Sequence, residues 1–423
     1  MTGLFMIVLL LLLVLTIPIA IAIGLASSLI VFDSGTNPIV IVQRLFTSLD
    51  AFPLLAVPFF ILAGSLMEKG GISKRLIDLA NTFVGSKTGG LGIVAILASM
   101  FFSAISGSGP ATTAAIGAIM IPAMVSKGYD VRFASSAQAA AGELGVIIPP
   151  SIPLVLYGIA AGVSIGDLFI AGVVPGLMIG FSLIIVMYFF AKINKYPVGE
   201  SYTWGERLTA LKNSILSILM PVIILGGIYG GVFTPTEAAV VATIYALIVG
   251  LFIYKELKWK QLIHIFSESA LISSTILIII STAGLFSWIL TSNRVPVAVS
   301  EWFVSLSESP IVFILIINLL LFLIGMFFDG GAAIIILAPI LTPIAVNFGI
   351  DPVHFGIIMV ANLAVGMITP PLGVNLFVVT QIANIRLEAM FRHLSLFVAV
   401  TMLDILIISY VPQLSLGFLS LFK

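Results

Sequence analysis

The chain has 423 residues, of which 60% are hydrophobic and only 9% charged, against about a quarter charged in soluble domains, so it lacks the polar surface to stand in water. Eighteen basic and eighteen acidic residues cancel, which removes the electrostatic footprint of a nucleic-acid-binding protein. The absence of Cys excludes disulfides, thiolate catalysis and Cys-ligated metals, and His264, His354 and His393 are too far apart in sequence to form a ligand motif.

The first apolar run, 4–32, has no Lys or Arg before it and exceeds the core of about 7–15 residues that a signal peptide carries. It reads as a retained transmembrane helix kinked at Pro18. Spanning a bilayer takes about 20 apolar residues, and 52–68, 167–191, 213–232, 235–254, 269–291 and 394–415 qualify in turn. Two amphipathic stretches, 72–85 and 294–306, lie between spans as arms. Four further stretches are interrupted midway by Gly, Pro, Ser, Asp or Asn. They are 89–126 at "SGSGP", 131–162 at "PPSIP", 310–347 at "DGG" and 353–382 at "TPPLGVN".

These interruptions repeat. An offset of 221 residues carries Pro122 onto Pro343, Gly128 onto Gly349, Asp130 onto Asp351, Gly145 onto Gly366, and Pro149-Pro150 onto Pro370-Pro371. The order of parts also recurs: span, arm, broken segment, second broken segment, span. The chain therefore divides into an N-terminal helix and connector (1–51), a first repeat (52–191), a central pair of helices (192–268) and a second repeat (269–415). Basic residues set the orientation. Lys69, Lys74, Arg75 and Lys87 flank the first arm and Lys127 and Arg132 follow the first hairpin, so both ends of 89–126 are cytoplasmic. The second arm, with Arg294, Glu301 and Glu308, has no cationic excess. An odd number of crossings separates the two repeats, which makes them inverted copies. The expected fold is an all-α polytopic membrane protein, an inverted repeat with two re-entrant hairpins (89–126, 310–347) and two discontinuous helices (131–162, 353–382).

Unwound backbone survives at membrane depth only where protein buries it or where it lines a watered cavity. Paired interruptions in an inverted repeat point to a transporter's binding site. At the first break, Ser103 and Ser106 offer hydroxyl oxygens. Pro149 and Pro150 donate no hydrogen bond, which frees carbonyls such as those of Gly145 and Ile148. At the second, Gly325 faces Gly366 and Met367, with Thr369 as side-chain ligand. Two cation sites of neutral oxygens suit sodium, whereas a proton relay wants carboxylates or His; Glu143 and Asp329, close to the breaks, keep proton coupling open. An anionic substrate would use the hairpin N-termini at Gly109 and Gly330, with Ser108, Thr112, Asp329 and Asn375.

"SGSGPATTAAIG", "AGELGVIIPPSIPLVLYG", "GGVFTPTEAAVVA" and "GMITPPLGVNLFV" together resemble the large membrane subunit of TRAP (tripartite ATP-independent periplasmic) transporters, over essentially the whole chain. The resemblance implies sodium-coupled uptake of a small organic acid (sialic acid, a dicarboxylate or a related carboxylate) by an elevator-type mechanism. In it, 4–32, the 213–254 pair and the two arms form the scaffold. It also implies a multi-pass protein of the bacterial inner membrane with two partners, a small four-helix membrane subunit and a periplasmic substrate-binding protein. Glu237, within "FTPTEAA", reads equally as a scaffold contact or a docking residue.

The nearest competing reading is a self-sufficient divalent-anion sodium symporter, but the hairpin tips lack the Ser-Asn-Thr of such proteins. An intramembrane hydrolase would need a base beside Ser106 or Ser108, and no His occurs between 1 and 263.

Overall fold

The computed structural model describes residues 7–9, 11, 12, 14–199 and 201–422, and among these no strand occurs. Residues 4–6, 10 and 13 of the first expected span lie outside the described residues. The expected kink at Pro18 is a break. Helix gives way to turn at Leu15 and Thr16, whose φ is 60°, and Pro18 stands as the N-cap of a new helix, α1, Ile19–Asp33. Proline has no N–H to extend the preceding helix but is accepted at a helix start.

The chain continues through α2 (Ile39–Thr47), a short 3₁₀ turn at Phe52–Leu55, α3 (Ala56–Lys69) and the first arm α4 (Ile72–Val84). The first hairpin is α5 (Gly90–Ser106) and α6 (Gly109–Ser126); the first broken helix is α7 (Val131–Ile147) and α8 (Ile152–Ala161); α9 (Ile165–Ile193) closes the unit. α10 (Trp204–Tyr229) and α11 (Pro235–Ile248) follow. α12 (Trp259–Ser292) leads to the second arm α13 (Val295–Leu306), then the hairpin α14 (Pro310–Phe327) and α15 (Gly330–Asn347). The second broken helix is α16 (Pro352–Gly366) and α17 (Val374–Ala383), before α18 (Phe391–Tyr410) and α19 (Gln413–Leu419). Nine helices among the described residues are long and apolar enough to cross a membrane, α6, α14 and α15 included.

Local chemistry sets where the helices restart. Ser108, Asp130, Ser151 and Ser164 each N-cap the helix that follows with a side-chain oxygen, and in the second half Asp329 and Asp351 do the same. Such a cap satisfies one of the orphan amides of a first turn and is worth about 1 kcal/mol. The caps preserve the 221-residue register: Ser108 corresponds to Asp329 and Asp130 to Asp351, and α6 and α15 match at both ends. Gly128 and Gly349 both turn at positive φ, and the Pro149-Pro150 and Pro370-Pro371 bonds are both cis. Thr234 and Glu237 form a reciprocal capping box at the start of α11, which assigns Glu237 a local role as a helix cap.

The sequence underestimates two spans. α10 and α12 begin at Trp204 and Trp259, well before the apolar stretches that start at 213 and 269. Their polar first turns carry the helix beyond the lipid-suited segment. In α12 this extension is tied to α3 through Lys69–Glu268 at 2.8 Å.

α7 and α16 occupy the centre. Every residue from Phe133 to Ile147 and from Val353 to Gly366 is buried, as expected of a helix without a polar face. The small residues of "ASSAQAAAGELG" let neighbours approach α7 closely, which is how helices associate where lipid removes the hydrophobic drive. The repeats also interlock: α6 of the first hairpin packs on α17, and α15 of the second packs on α8. Each hairpin thus leans on the half-helix that follows the other repeat's break.

Candidate functional site

Both hairpin tips line one cavity of about 490 Å³, which places them at a common depth. Tip 1 contributes Ser106 to Ala111 and tip 2 contributes Asp329 to Ala332. The breaks add Val146, Ile152, Pro153 and Met367; α3 adds Gly64 and Ser65; α12 supplies a wall including Ile272, Thr275 and Ile276. That wall escapes sequence reading because an apolar span face toward a cavity looks like one toward lipid.

Among the described residues, Asp329 is the one ionisable residue of the lining. Two helices begin at this cavity. Ala111 N–H donates to Ser108 Oγ and Ala332 N–H to Asp329 Oδ1, at 3.5 and 3.1 Å. The first-turn amides of Gly109, Gly330 and Gly331 have no intrahelical acceptor, and all three residues line the cavity. Free amides at a helix N-terminus favour an anion, more so at tip 1 than at tip 2, where the Asp329 carboxylate already caps the helix, and the apolar remainder of the wall suits the body of a small organic molecule.

Of the residues expected at substrate, Ser108, Gly109, Asp329 and Gly330 line the cavity. Thr112 and Asn375 do not. Thr112 is buried with its hydroxyl 2.9 Å from that of Ser106. Asn375 sits behind tip 1, donating from Nδ2 to the Ala139 carbonyl at 3.2 Å. A Cβ added to Gly109 would lie 3.3 Å from Asn375 Oδ1. The Asn375 side chain thus ties α17 of the second repeat to α7 of the first, and its Oδ1 is buried without a partner. Nothing in the "GVN" triplet signals that orientation; packing of α17 on α6 sets it.

Of the first set of proposed cation ligands, Ser106 and Gly145 come together at tip 1. The Ser106 hydroxyl contacts Thr112 and lies 3.4 Å from the Ser108 carbonyl. Gly145 is so close that a Cβ there would stand 2.4 Å from the Ser108 carbonyl oxygen and 2.7 Å from Thr112 Oγ1. Pro149 has no N–H for the Gly145 carbonyl. The amide of Ile152, which would complete a turn onto the Ile148 carbonyl, donates instead to Gly107 O at 3.2 Å. The Val146 carbonyl, left without a donor by Pro150, accepts from Ser151 Oγ. Ser103 Oγ is buried without a protein partner. Hydroxyl and carbonyl oxygens thus gather between tip 1 and break 1, the donor set a hard cation prefers.

The second set is arranged differently. Gly325 and Gly366 are in backbone contact: a Cβ on Gly366 would fall 2.2 Å from the Gly325 carbonyl carbon. The Gly366 and Met367 carbonyls accept from the amides of Thr369 and Asn375, both at 3.1 Å. Thr369 Oγ1 donates to Val365 O at 2.8 Å, which leaves its lone pairs available. Leu372 N–H donates to Met326 O at 3.2 Å, pinning break 2 to tip 2. No cluster of three or more His, Cys, Asp or Glu occurs among the described residues.

Two hairpins and two broken helices around one midchain cavity define a secondary-transporter type of membrane protein. The sequence comparisons give the family. Residues 6–414 match the model for "Tripartite ATP-independent periplasmic transporter, DctM component", and the chain belongs to that family. It is 44% identical over 374 residues to the C4-dicarboxylate TRAP transporter large permease protein DctM of Pseudomonas aeruginosa, covering 88% of each chain. It is 37% identical over 391 residues to the sialic acid TRAP transporter large permease protein SiaM of Vibrio cholerae, covering 92% of each. It is also 44% identical over 398 residues to the isethionate TRAP transporter permease protein DctMQ of Oleidesulfovibrio alaskensis, covering 93% of this chain but 62% of that relative's length. The solved structure of the Alcanivorax borkumensis YdaH transporter, described as having an unusual topology, shares the fold. Its TM-score is 0.65, with 15% identity and 86% of each chain covered.

Proposed function

We propose that this chain is the large permease subunit of a TRAP system that imports a small organic acid, driven by sodium. One observation carries the reading: two hairpin tips with free helix N-termini meet at a single cavity, with oxygen-rich breaks directly behind them. The N-termini account for an anionic substrate, and the hydroxyls and carbonyls of Ser103, Ser106, Gly145, Ile148 and the 149–150 turn account for one sodium ion. Gly325, Gly366, Met367 and Thr369 frame a second.

The relatives' names include a C4-dicarboxylate, sialic acid and isethionate. Their common feature is an acidic group on a small body, which matches a cavity with dipole ends and few charges. By the same likeness, the partners are a small four-helix membrane subunit and a periplasmic binding protein, in the bacterial inner membrane. Movement is of the elevator type: hairpins and broken helices, interlocked by the α6–α17 and α15–α8 contacts, slide as one body. α1, α10, α11 and the arms form the scaffold, and the repeats run over 52–191 and 269–415.

The test is reconstitution of the chain with its small subunit in liposomes. Uptake is expected to require both a sodium gradient and loaded binding protein. Ser106→Leu and Thr369→Leu are each expected to abolish sodium-dependent uptake while leaving membrane insertion intact. Uptake without binding protein would identify a self-sufficient symporter, and uptake without sodium would overturn the coupling.

A further inference from the structure

Away from the cavity, two carboxylates are buried where α7, α9 and α18 meet. Glu143 on α7 is fully buried; its Oε1 accepts from Thr401 Oγ1 of α18 at 2.9 Å, and its Oε2 has no partner. Asp404 on α18 is 4% exposed; its Oδ1 accepts from Ser182 Oγ of α9 at 3.0 Å, and its Oδ2 also has no partner. Thr401 and Asp404 are three residues apart on one helix and so share a face. The hydroxyl bonded to Glu143 thus sits one helical turn from Asp404. Neither carboxylate takes part in the ion pairs found among the described residues, which involve Lys69, Arg75, Arg132 and His264.

Ionisable side chains inside a membrane protein are costly unless paired, and they mark ion pathways. Here two carboxyl oxygens are left over, and among the described residues no Lys, Arg or His forms an ion pair with either group. Two hydroxyls from separate helices, those of Thr401 and Ser182, each donate to one of the two carboxyl groups. Four hard oxygen donors on three helices are more than a single shared proton requires, and they are the ligand type of a hard metal cation.

We propose that Glu143 and Asp404, with Thr401 and Ser182, form a further sodium site, separate from those between the hairpin tips and the breaks. A cation there would tie α7, the helix that leads into the first break, to α9 and α18, which pack on it. Occupancy of this site would then set the position of Gly145 against tip 1. The inference rests on the sodium reading above, and the test separates the two.

The full chain is purified in detergent and radioactive sodium binding is measured at equilibrium for the wild type, Glu143→Gln, Asp404→Asn and the double variant. The double variant is expected to bind one sodium ion fewer per chain. Ser106→Leu is expected to keep the ion that the double variant loses. Unchanged stoichiometry in a folded double variant overturns the site, whereas no sodium binding by the wild type overturns the coupling reading as a whole. Should the carboxamides fail to fold, infrared spectra of the wild type decide. Sodium is expected to shift the carboxylate bands of the buried pair. A protonated carboxyl band that sodium leaves unmoved would assign a proton instead and overturn the proposal.

Discussion

The amide of Ile152 donates to the carbonyl of Gly107 at 3.2 Å, so the half-helix after the first break is hydrogen-bonded to the tip of the first hairpin. Leu372 and Met326 make the corresponding bond in the second repeat. Tip and break are latched by main chain in both halves, and a displacement of one carries the other with it.

Removing that latch without unfolding the helix is feasible at Ile152. It is the first residue of α8, where proline is tolerated, and Ser151 before it is extended, with φ −129° and ψ 129°, as a residue preceding proline requires. Ile152→Pro deletes the donor but also removes an apolar side chain that lines the cavity, so Ile152→Ala, which keeps the amide, is the control. A lost hydrogen bond of this kind costs about 0.5–1.5 kcal/mol. The expected result is a modest fall in thermal stability with a weakened sodium dependence of uptake. Unaltered sodium dependence would show that the latch does not shape the cation site.

Gly145→Ala places a methyl group 2.4 Å from the Ser108 carbonyl, inside the oxygen cluster at tip 1. Either the tip or α7 must shift. The half-saturating sodium concentration is expected to rise by about tenfold or more, equivalent to ~1.4 kcal/mol, with the protein still monodisperse. Sodium titration of uptake, or of thermal stabilisation by sodium, measures it.

Gly366→Ala meets backbone rather than a flexible side chain, with the Gly325 carbonyl carbon 2.2 Å away. Overpacking a filled core costs about 1–3 kcal/mol, and here no rotamer can relieve it. Gly226→Ala on α10, where nothing lies within 4 Å of the added methyl, is the control and is expected to be neutral. A melting temperature for Gly366→Ala equal to that of the control would refute the backbone contact.

Asp130, in the turn before α7, is held down to about 2 by its hydrogen bonds and ion pair with Arg132. A carboxyl depressed in the folded state contributes stability above its unfolded value, near 4, and that contribution is lost as pH falls toward 2. Asp130→Asn keeps a capping oxygen but removes the charge. The difference in melting temperature between the variant and wild type is expected to be constant above about pH 5 and to shrink below it. A difference independent of pH would assign the whole effect to the cap.

How much of this was legible in the chain follows from what each feature depends on. Membrane class, hairpins, breaks and the repeat register depend on local properties: apolar length, Gly and Pro placement, and a cap residue where each helix restarts. Ser108 and Asp329, Asp130 and Asp351, and the paired Pro-Pro steps carry those instructions in the sequence itself. Helix ends were less legible: the polar start of α10 rests on a local Thr203–Glu206 capping box well ahead of its apolar run, and the polar part of α12 is held by Lys69 on a distant helix.

Tertiary structure alone decided which oxygens face which space. Asn375 bonds α7 instead of lining the cavity, Gly366 presses on Gly325, and Ile272, Thr275 and Ile276 become part of a cavity wall. Asp404, unremarkable in an apolar span, is buried one turn from Thr401, whose hydroxyl bonds Glu143, 261 positions before Asp404 in the chain. A short-range pattern fixes a residue's helix and its phase, but the direction in which that phase points is set by packing between segments hundreds of residues apart. No local periodicity encodes it.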